Sequence, residues 1–260
     1  MNLHVITIVL NGAPWISKHL PEFEKLKTPW TWHIVHGAAA STGSTAWCNP
    51  QPPGFSRDGT SEFINSISKH PRVRLYQRQM WNGGKDEMVN TPLANIKETC
   101  CLMQIDSDEI WTAPQIDEIV SLFETLPHIY RMYFWCNYFL GPDIVATSTN
   151  GYGNRMGEWL RAFRFEPGMK WDRHEPPVLA GNSRGYSMGR DETKKWGLVF
   201  DHFAWATEKQ ATYKSNFYGY RNAVMNWRRL QANTHWPVKD LRTFLPWVGA
   251  GASADKTKPL

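Results

Sequence analysis

The sequence predicts an α/β protein with a mainly parallel central sheet, flanked by helices and closed by a helix near the C-terminus. Three observations point there. Short apolar runs at residues 5–10, 32–35, 73–76 and 101–105 alternate with helical patterns, and strands alternating with helices build parallel sheets. The first run is rich in β-branched residues and almost wholly apolar, as a strand buried on both faces must be. It ends at Asn11-Gly12-Ala13-Pro14, a turn into a helix with proline in its first turn.

The second run leads into His36-Gly37, and the Pro/Gly/Ser-rich stretch that follows to Phe55 reads as a long surface loop. Loops of that length are uncommon unless functional. Asp58-Gly59-Thr60 opens a helix through Ile64 and Ile67, residues 81–85 read as a loop, and Thr91 caps a helix with Pro92 in first position. Past the fourth strand, Ile116, Ile119, Val120 and Phe123 recur at helical spacing. Residues 130–139, 160–165 and 198–205 are further strands. Tyr213, Phe217, Tyr220, Val224, Trp227 and Leu230 form one apolar stripe, which predicts a single closing helix. The tail after Trp247 lacks apolar bulk, so residues 248–260 are expected to be disordered.

A chain of 260 residues, 42% hydrophobic and 20% charged, is large enough for one sizeable core. The expected organisation is one domain over residues 1–247. A net charge of +5 suits an anionic ligand, but with no basic run and no reader motif the sequence argues against nucleic acid. Fourteen Trp offer flat faces for sugar stacking, although core packing accounts for most such residues. The four Cys, at 48, 100, 101 and 136, show no C-x-x-C spacing. Free thiols in a reducing compartment are expected, rather than zinc ligands or a disulfide scaffold. The N-terminal apolar run stops at Leu10, far short of the roughly 20 residues of a membrane span and without a signal peptide's pattern. No transmembrane segment and a cytoplasmic location are the expectation.

The chemistry concentrates at Ile105-Asp106-Ser107-Asp108-Glu109, acidic residues just past the end of an apolar strand. In open α/β sheets that edge is where ligands bind. Two carboxylates one residue apart reach one hard cation, and oxygen ligands favour Mg²⁺ or Mn²⁺ over zinc. Such an ion bridges diphosphate oxygens and offsets charge on a leaving nucleotide. The alternative is a solvated acidic turn that caps the next helix.

In the order of its elements over residues 3 to 220, the chain resembles the GT-A glycosyltransferases, in particular family 2 and its lipopolysaccharide-core-type relatives. The resemblance rests on residues 6–12 as first strand and nucleotide loop, on Ser56-Arg57-Asp58-Gly59-Thr60, and on Asn90 followed by the Ile-Asp-Ser-Asp-Glu motif. Trp171-Asp172-Arg173-His174-Glu175 and Asp201-His202-Phe203, followed by a Lys-containing helix, complete it. It implies a metal-dependent transfer of a sugar from a nucleotide diphosphate donor to a glycan, glycolipid or glycoprotein hydroxyl, with inversion. Residues 1–110 would form the nucleotide-sugar and metal half, and residues 111–247 the acceptor half. Asn11, Asp58, Lys85 and Asp106 would contact the donor, and Asp106, Asp108 and His202 the Mn²⁺ or Mg²⁺. The chain departs from the family at Val35-His36-Gly37, where an acidic residue usually holds the nucleobase.

Inverting transfer needs a carboxylate to take the acceptor's proton. Glu175 is the candidate, with Asp172 and Glu158 in reserve; the alternative for Glu175 is an ordinary salt bridge to Arg173 or Arg161. Lys85 is either a phosphate-facing charge or an exposed loop lysine, and His202 either a ligand or a structural histidine. Two other function classes remain open. A sugar nucleotidyltransferase calls for a Gly-rich basic loop after strand one, and a non-catalytic carbohydrate-binding protein has no need of Asp106, Asp108, Lys85 and His202 together.

Overall fold

β1 (Leu3–Val9) is buried on both faces, and the rest of the protein is arranged around it. The computed structural model describes residues 1–148, 159–181 and 185–257. After β1 come α1 (His19–Phe23), β2 (Trp30–Ala39), α2 (Thr60–Ile67), β3 (Val73–Trp81), α3 (Gly84–Asn90) and β4 (Cys100–Gln104). Next are the short β5 (Glu109–Ile110), α4 (Ala113–Thr125), β6 (Ile129–Tyr133), β7 (Trp135–Tyr138), β8 (Ile144–Ala146) and β9 (Leu160–Phe165). The chain then runs through β10 (Lys170–Arg173), β11 (Val178–Ala180), β12 (Tyr186–Met188), α5 (Arg190–Lys195), β13 (Val199–His202), α6 (Glu208–Tyr218), α7 (Ala223–Gln231) and β14 (Ala254–Lys256).

The main sheet has the order β12-β6-β9-β4-β1-β2-β3. Its neighbours pair in parallel except β9, which runs antiparallel to both β4 and β6. The expected α/β architecture with a mainly parallel central sheet is therefore observed. Leu3, Val5, Met103, Trp32 and Ile34 share one apolar cluster with Ile116, Ile119 and Phe123 of α4. Each such fully buried side chain contributes roughly 1.5–3 kcal/mol. A second sheet, β5-β13-β7, sets His202 opposite Glu109, which brings the late histidine strand to the acidic turn beyond β4.

Several expectations need correction. β2 and β3 run on to Ala39 and Trp81, because mutual pairing through Ala39 and Trp81 overrides the local signal of Gly37. Lys85 is not in a loop but in the first turn of α3. Asp86 and Glu87 favour that helix N-terminus, with Glu87 Oε2 accepting from Gly83 N at 2.8 Å. Thr91 ends this helix and Pro92 begins only a 3₁₀ turn, since proline cannot continue the hydrogen-bond ladder.

The single closing helix is two helices. Gly219 takes the left-handed φ of 71° at the end of α6, and Asn222 a φ of 58° before α7. A residue of that conformation just past a helix end is a common stop, so the apolar stripe continues across a break in the chain's direction. The tail is not disordered over its described part. β14 pairs antiparallel with β8, and Ala252 and Ala254 are fully buried, where small side chains allow close backbone approach. Residues 258–260 lie outside the described residues. All four cysteines are buried, and none forms a disulfide among the described residues.

Candidate active site

A cleft of about 1100 Å³ opens at the carboxyl end of β1 and β4, and Asn11, Asp58, Lys85, Asp106, Asp108, Glu175 and His202 all line it. Ligands of open α/β sheets bind at this edge. The acidic turn after β4 is fixed from two sides. His19 of α1, held at a pKa of about 4 by burial and hence neutral, donates from Nε2 to the Ser107 carbonyl at 3.1 Å. Gly12 permits the second contact, because a Cβ there would lie 2.8 Å from Ser107 Cβ. The loop after β1 thus packs directly on the turn.

Beneath the turn lies Arg161 of β9, 4% exposed, against Glu109, 0% exposed. Arg161 Nε donates to Glu109 Oε1 at 2.8 Å and Nη2 to the same oxygen at 2.6 Å. Nη2 also reaches Asp106 Oδ2 at 3.2 Å. Burial raises the Asp106 pKa, but Arg161, followed by His174, His202 and Lys85, outweighs it and holds the carboxyl at about 2. Burial pushes the Glu109 carboxyl up against the opposing pull of Arg161. Asp106 thus pairs with the guanidinium through Oδ2 while its side chain, 28% exposed, still lines the cleft.

Asp108 faces the cleft as well. Its Oδ1 lies 3.7 Å from His202 Nε2, and its Oδ2 accepts from Gln210 Nε2 at 3.4 Å. Burial, against the pull of Asp108, lowers His202 to about 4, which leaves a neutral imidazole with a lone pair to offer. Its buried Nδ1 has no hydrogen-bond partner among the described residues. Among those residues no group of three or more His, Cys, Asp and Glu side chains is placed to hold a metal ion. The donors that line the cleft, the Asp106 and Asp108 carboxylates and the neutral His202 imidazole, do not converge into a resident metal cage. They do fit a cation that arrives on phosphate oxygens, because Mg²⁺ is commonly held by one or two carboxylates plus the substrate's phosphates.

Across the cleft Lys85 Nζ donates to Glu175 Oε1. Tyr218 donates its hydroxyl hydrogen to the same oxygen at 3.3 Å, and His174 Nδ1 is 3.7 Å away. Glu175 is thus salt-bridged, but to Lys85 and not to Arg173 or Arg161. Burial works against its charge, yet Lys85 and then His174 prevail and hold the carboxyl below its ordinary range. Asp172 is exposed and lines a separate hollow with Met169 and Lys170. Glu158 lies outside the described residues.

On the nucleotide side, Asn11 adopts a left-handed φ of 59°. Its Oδ1 accepts from Arg57 N at 3.0 Å and its N–H donates to Ser56 Oγ at 2.7 Å. Asp58 accepts from Ala13 N at 3.0 Å and from Thr60 N at 3.1 Å. These bonds knit the loop after β1 to residues 56–60 and preshape one wall of the cleft. His36 supports that wall, its Nε2 accepting from Ser56 N at 3.2 Å.

Sequence reasoning missed Arg161, Asp86 and Lys214. Asp86 accepts from His174 N at 2.7 Å and from Ser44 Oγ at 2.6 Å, so it joins the Glu175 segment to the long loop after β2. Lys214 of α6 lines the cleft, its Nζ 5.6 Å from the Trp205 ring centroid and 5.7 Å from that of Tyr218. Burial lowers its pKa against the pull of Asp108. The Lys-containing helix was visible in the sequence; which lysine faces inward was not.

No protein family's sequence model matches the chain, and no curated protein matches it. Among solved structures, the chain is similar to S. aureus TarS 1–349 in complex with UDP-GlcNAc, with a TM-score of 0.44, 13% identity, and 63% of this chain and 45% of that chain covered. It therefore spans less than half the length of that protein. S. aureus TarS 1–349 in another structure gives a TM-score of 0.46 at 12% identity, covering 90% of this chain and 74% of that one. A 4-diphosphocytidyl-2C-methyl-D-erythritol synthase gives 0.36 at 11% identity, covering 63% and 74%. Likeness at this level carries no functional argument.

Proposed function

We propose that the chain is a GT-A-like glycosyltransferase that moves a sugar from a nucleoside diphosphate donor to an acceptor hydroxyl with inversion. The observation that supports this best is the convergence on one cleft of Asp108 with His202, the Lys85–Glu175 pair and Lys214. Fixed cations and a carboxylate at a sheet's carboxyl edge are what transfer from an anionic leaving group requires.

In this reading the donor diphosphate lies between the acidic turn and α6, with the loop after β1 against the nucleoside. Asp108 and His202, with Asp106 beside them, would hold a Mg²⁺ or Mn²⁺, which would supply charge neutralisation to the diphosphate. The bond from Arg161 to Asp106 Oδ2 fixes the turn and orients that carboxylate. Lys214 adds positive charge beside the leaving group, and Lys85 turns part of its charge from Glu175 towards phosphate. Glu175 then takes the proton of the acceptor hydroxyl as its oxygen attacks the anomeric carbon. The bond from that carbon to the diphosphate breaks, and the nucleoside diphosphate leaves. Incubation with Mn²⁺ and a panel of sugar nucleotides, scored by released nucleoside diphosphate, tests the reading. Release of pyrophosphate from a nucleoside triphosphate and a sugar phosphate would favour a nucleotidyltransferase instead.

A further inference from the structure

The long loop after β2 has no role in the chemistry above, yet it is anchored more firmly than a connector needs. Asp86 accepts from Ser44 N at 2.8 Å and from Ser44 Oγ at 2.6 Å. Asn49 ties the loop's far end to α6, with its N–H donating to Phe217 O and its Nδ2 to Asn216 O, both at 2.8 Å. Between these anchors stands Trp47, 60% exposed and the most exposed large hydrophobic side chain among the described residues. Its ring stacks on Tyr218 with centroids 5.3 Å apart and planes 27° apart. Its Nε1 donates to Ser44 O at 3.2 Å, which fixes the ring's rotation. One indole face is thus backed by Tyr218 while the side chain lines the cleft.

We propose that Trp47 is a stacking platform for a pyranose ring of the acceptor, which makes the acceptor a glycan rather than a non-sugar alcohol. This rests on the transferase reading. Tyr218 links the platform to the chemistry, since its ring backs Trp47 and its hydroxyl bonds Glu175 at 3.3 Å. A sugar lying on the indole therefore has its hydroxyls beside the carboxylate assigned as base. A flat, rigid apolar ring with open solvent on one side matches the C–H face of a pyranose, and holding it rigid lowers the entropy lost on binding. An acidic or basic partner finds no complementary charge on this ring. The anchors through Asp86 set Trp47 and the Glu175 segment in fixed relation, because Asp86 also accepts from His174 N.

The test uses saturation-transfer NMR on the whole chain with methyl β-D-glucopyranoside, methyl α-D-mannopyranoside and the β-methyl glycoside of N-acetylglucosamine. Each is measured with the Mg²⁺ complex of UDP, GDP, CDP or ADP present and absent, on the parent, Trp47→Ala and Trp47→Phe. Because Trp47 is exposed, both variants should keep the parent's circular dichroism. The proposal expects at least one glycoside to bind the parent, about tenfold more weakly to Trp47→Ala and within about threefold to Trp47→Phe. Nucleoside diphosphate binding should be the same in all three. Equal glycoside binding by Trp47→Ala overturns the platform, as does a parent that binds a nucleoside diphosphate but no glycoside. Glycoside binding lost in Trp47→Ala but with no nucleoside diphosphate bound would keep the sugar site and overturn the transferase reading.

Discussion

Lys85, in the first turn of α3, and Glu175, just past β10, form an ion pair across the cleft with side-chain exposures of 13% and 28%. The pair sets the charge of Glu175, whose pKa burial alone would raise and Lys85 lowers. A carboxyl depressed in the folded state contributes stability above its unfolded pKa and loses it as pH falls through the lower folded value. In Lys85→Met burial acts unopposed by that charge and the carboxyl moves up, so stability at pH 7 should fall by roughly 1–3 kcal/mol, less than for a wholly buried charge. That loss should shrink as pH drops from 7 towards 5 in urea denaturation, and Lys85→Met with Glu175→Gln should recover much of it. Equal stability of parent and Lys85→Met at both pH values would contradict the pairing.

Glu175→Gln should reduce turnover by about 10² to 10⁴ with donor affinity within a few-fold of the parent. The substitution keeps shape and an accepting oxygen but removes basicity, so only a step that moves a proton suffers. Steady-state kinetics with titration calorimetry separates the two effects. Turnover close to the parent's would make Glu175 a structural partner of Lys85 and nothing more.

Arg161→Met should cost about 3–5 kcal/mol in chemical denaturation, since it strands Glu109 at 0% exposure without its guanidinium. Adding Glu109→Leu should restore most of this, because a buried ion pair replaced by apolar groups of similar volume is often near neutral. A single variant within about 0.5 kcal/mol of the parent, the usual range for a surface substitution, would place Arg161 outside the structural core.

The folded chain should lose stability as pH falls from about 6.5 towards 4. Burial lowers His33 to about 3, helped by the charges of His4 and Arg74, and lowers His19 to about 4. His33 Nε2 lies 2.9 Å from His4 Nδ1, and His33 Nδ1 lies 3.3 Å from the Tyr76 hydroxyl, so both imidazoles cannot be charged without repulsion. Histidines with depressed folded pKa values contribute stability above the unfolded value of about 6.5, and it is lost as pH falls towards the folded values. Each contributes a slope of up to about 1.4 kcal/mol per pH unit in that window. Urea midpoints at pH 7.5, 6 and 5 should therefore descend; a flat profile would contradict neutral burial of His19 and His33.

The central strands were legible because β1 and β4 are buried on both faces, and burial of that kind writes itself as continuous apolar runs. The acidic turn was legible for a related reason: charges placed directly after such a run mark a strand end. Other features depend on contacts far apart in sequence. Nothing local shows that Arg161 lies under Glu109, that Asp86 holds Ser44 and His174 together, or that Glu175 pairs with Lys85, 90 residues away. The Gly219 break was readable as a stop signal, but the stripe from Tyr213 to Leu230 kept its spacing across it. The tail misled because small residues, read as lacking apolar bulk, are the ones that let β14 approach β8.

The most direct test of the account is calorimetric titration of the parent and Asp108→Asn with UDP, GDP, CDP and ADP, with and without Mn²⁺. The account predicts that one of these nucleotides binds the parent at least about tenfold more tightly with Mn²⁺ than without. Asp108→Asn should lose that difference while keeping its fold. A parent that binds none of them, or an Asp108→Asn variant that retains the full Mn²⁺ effect, would contradict it.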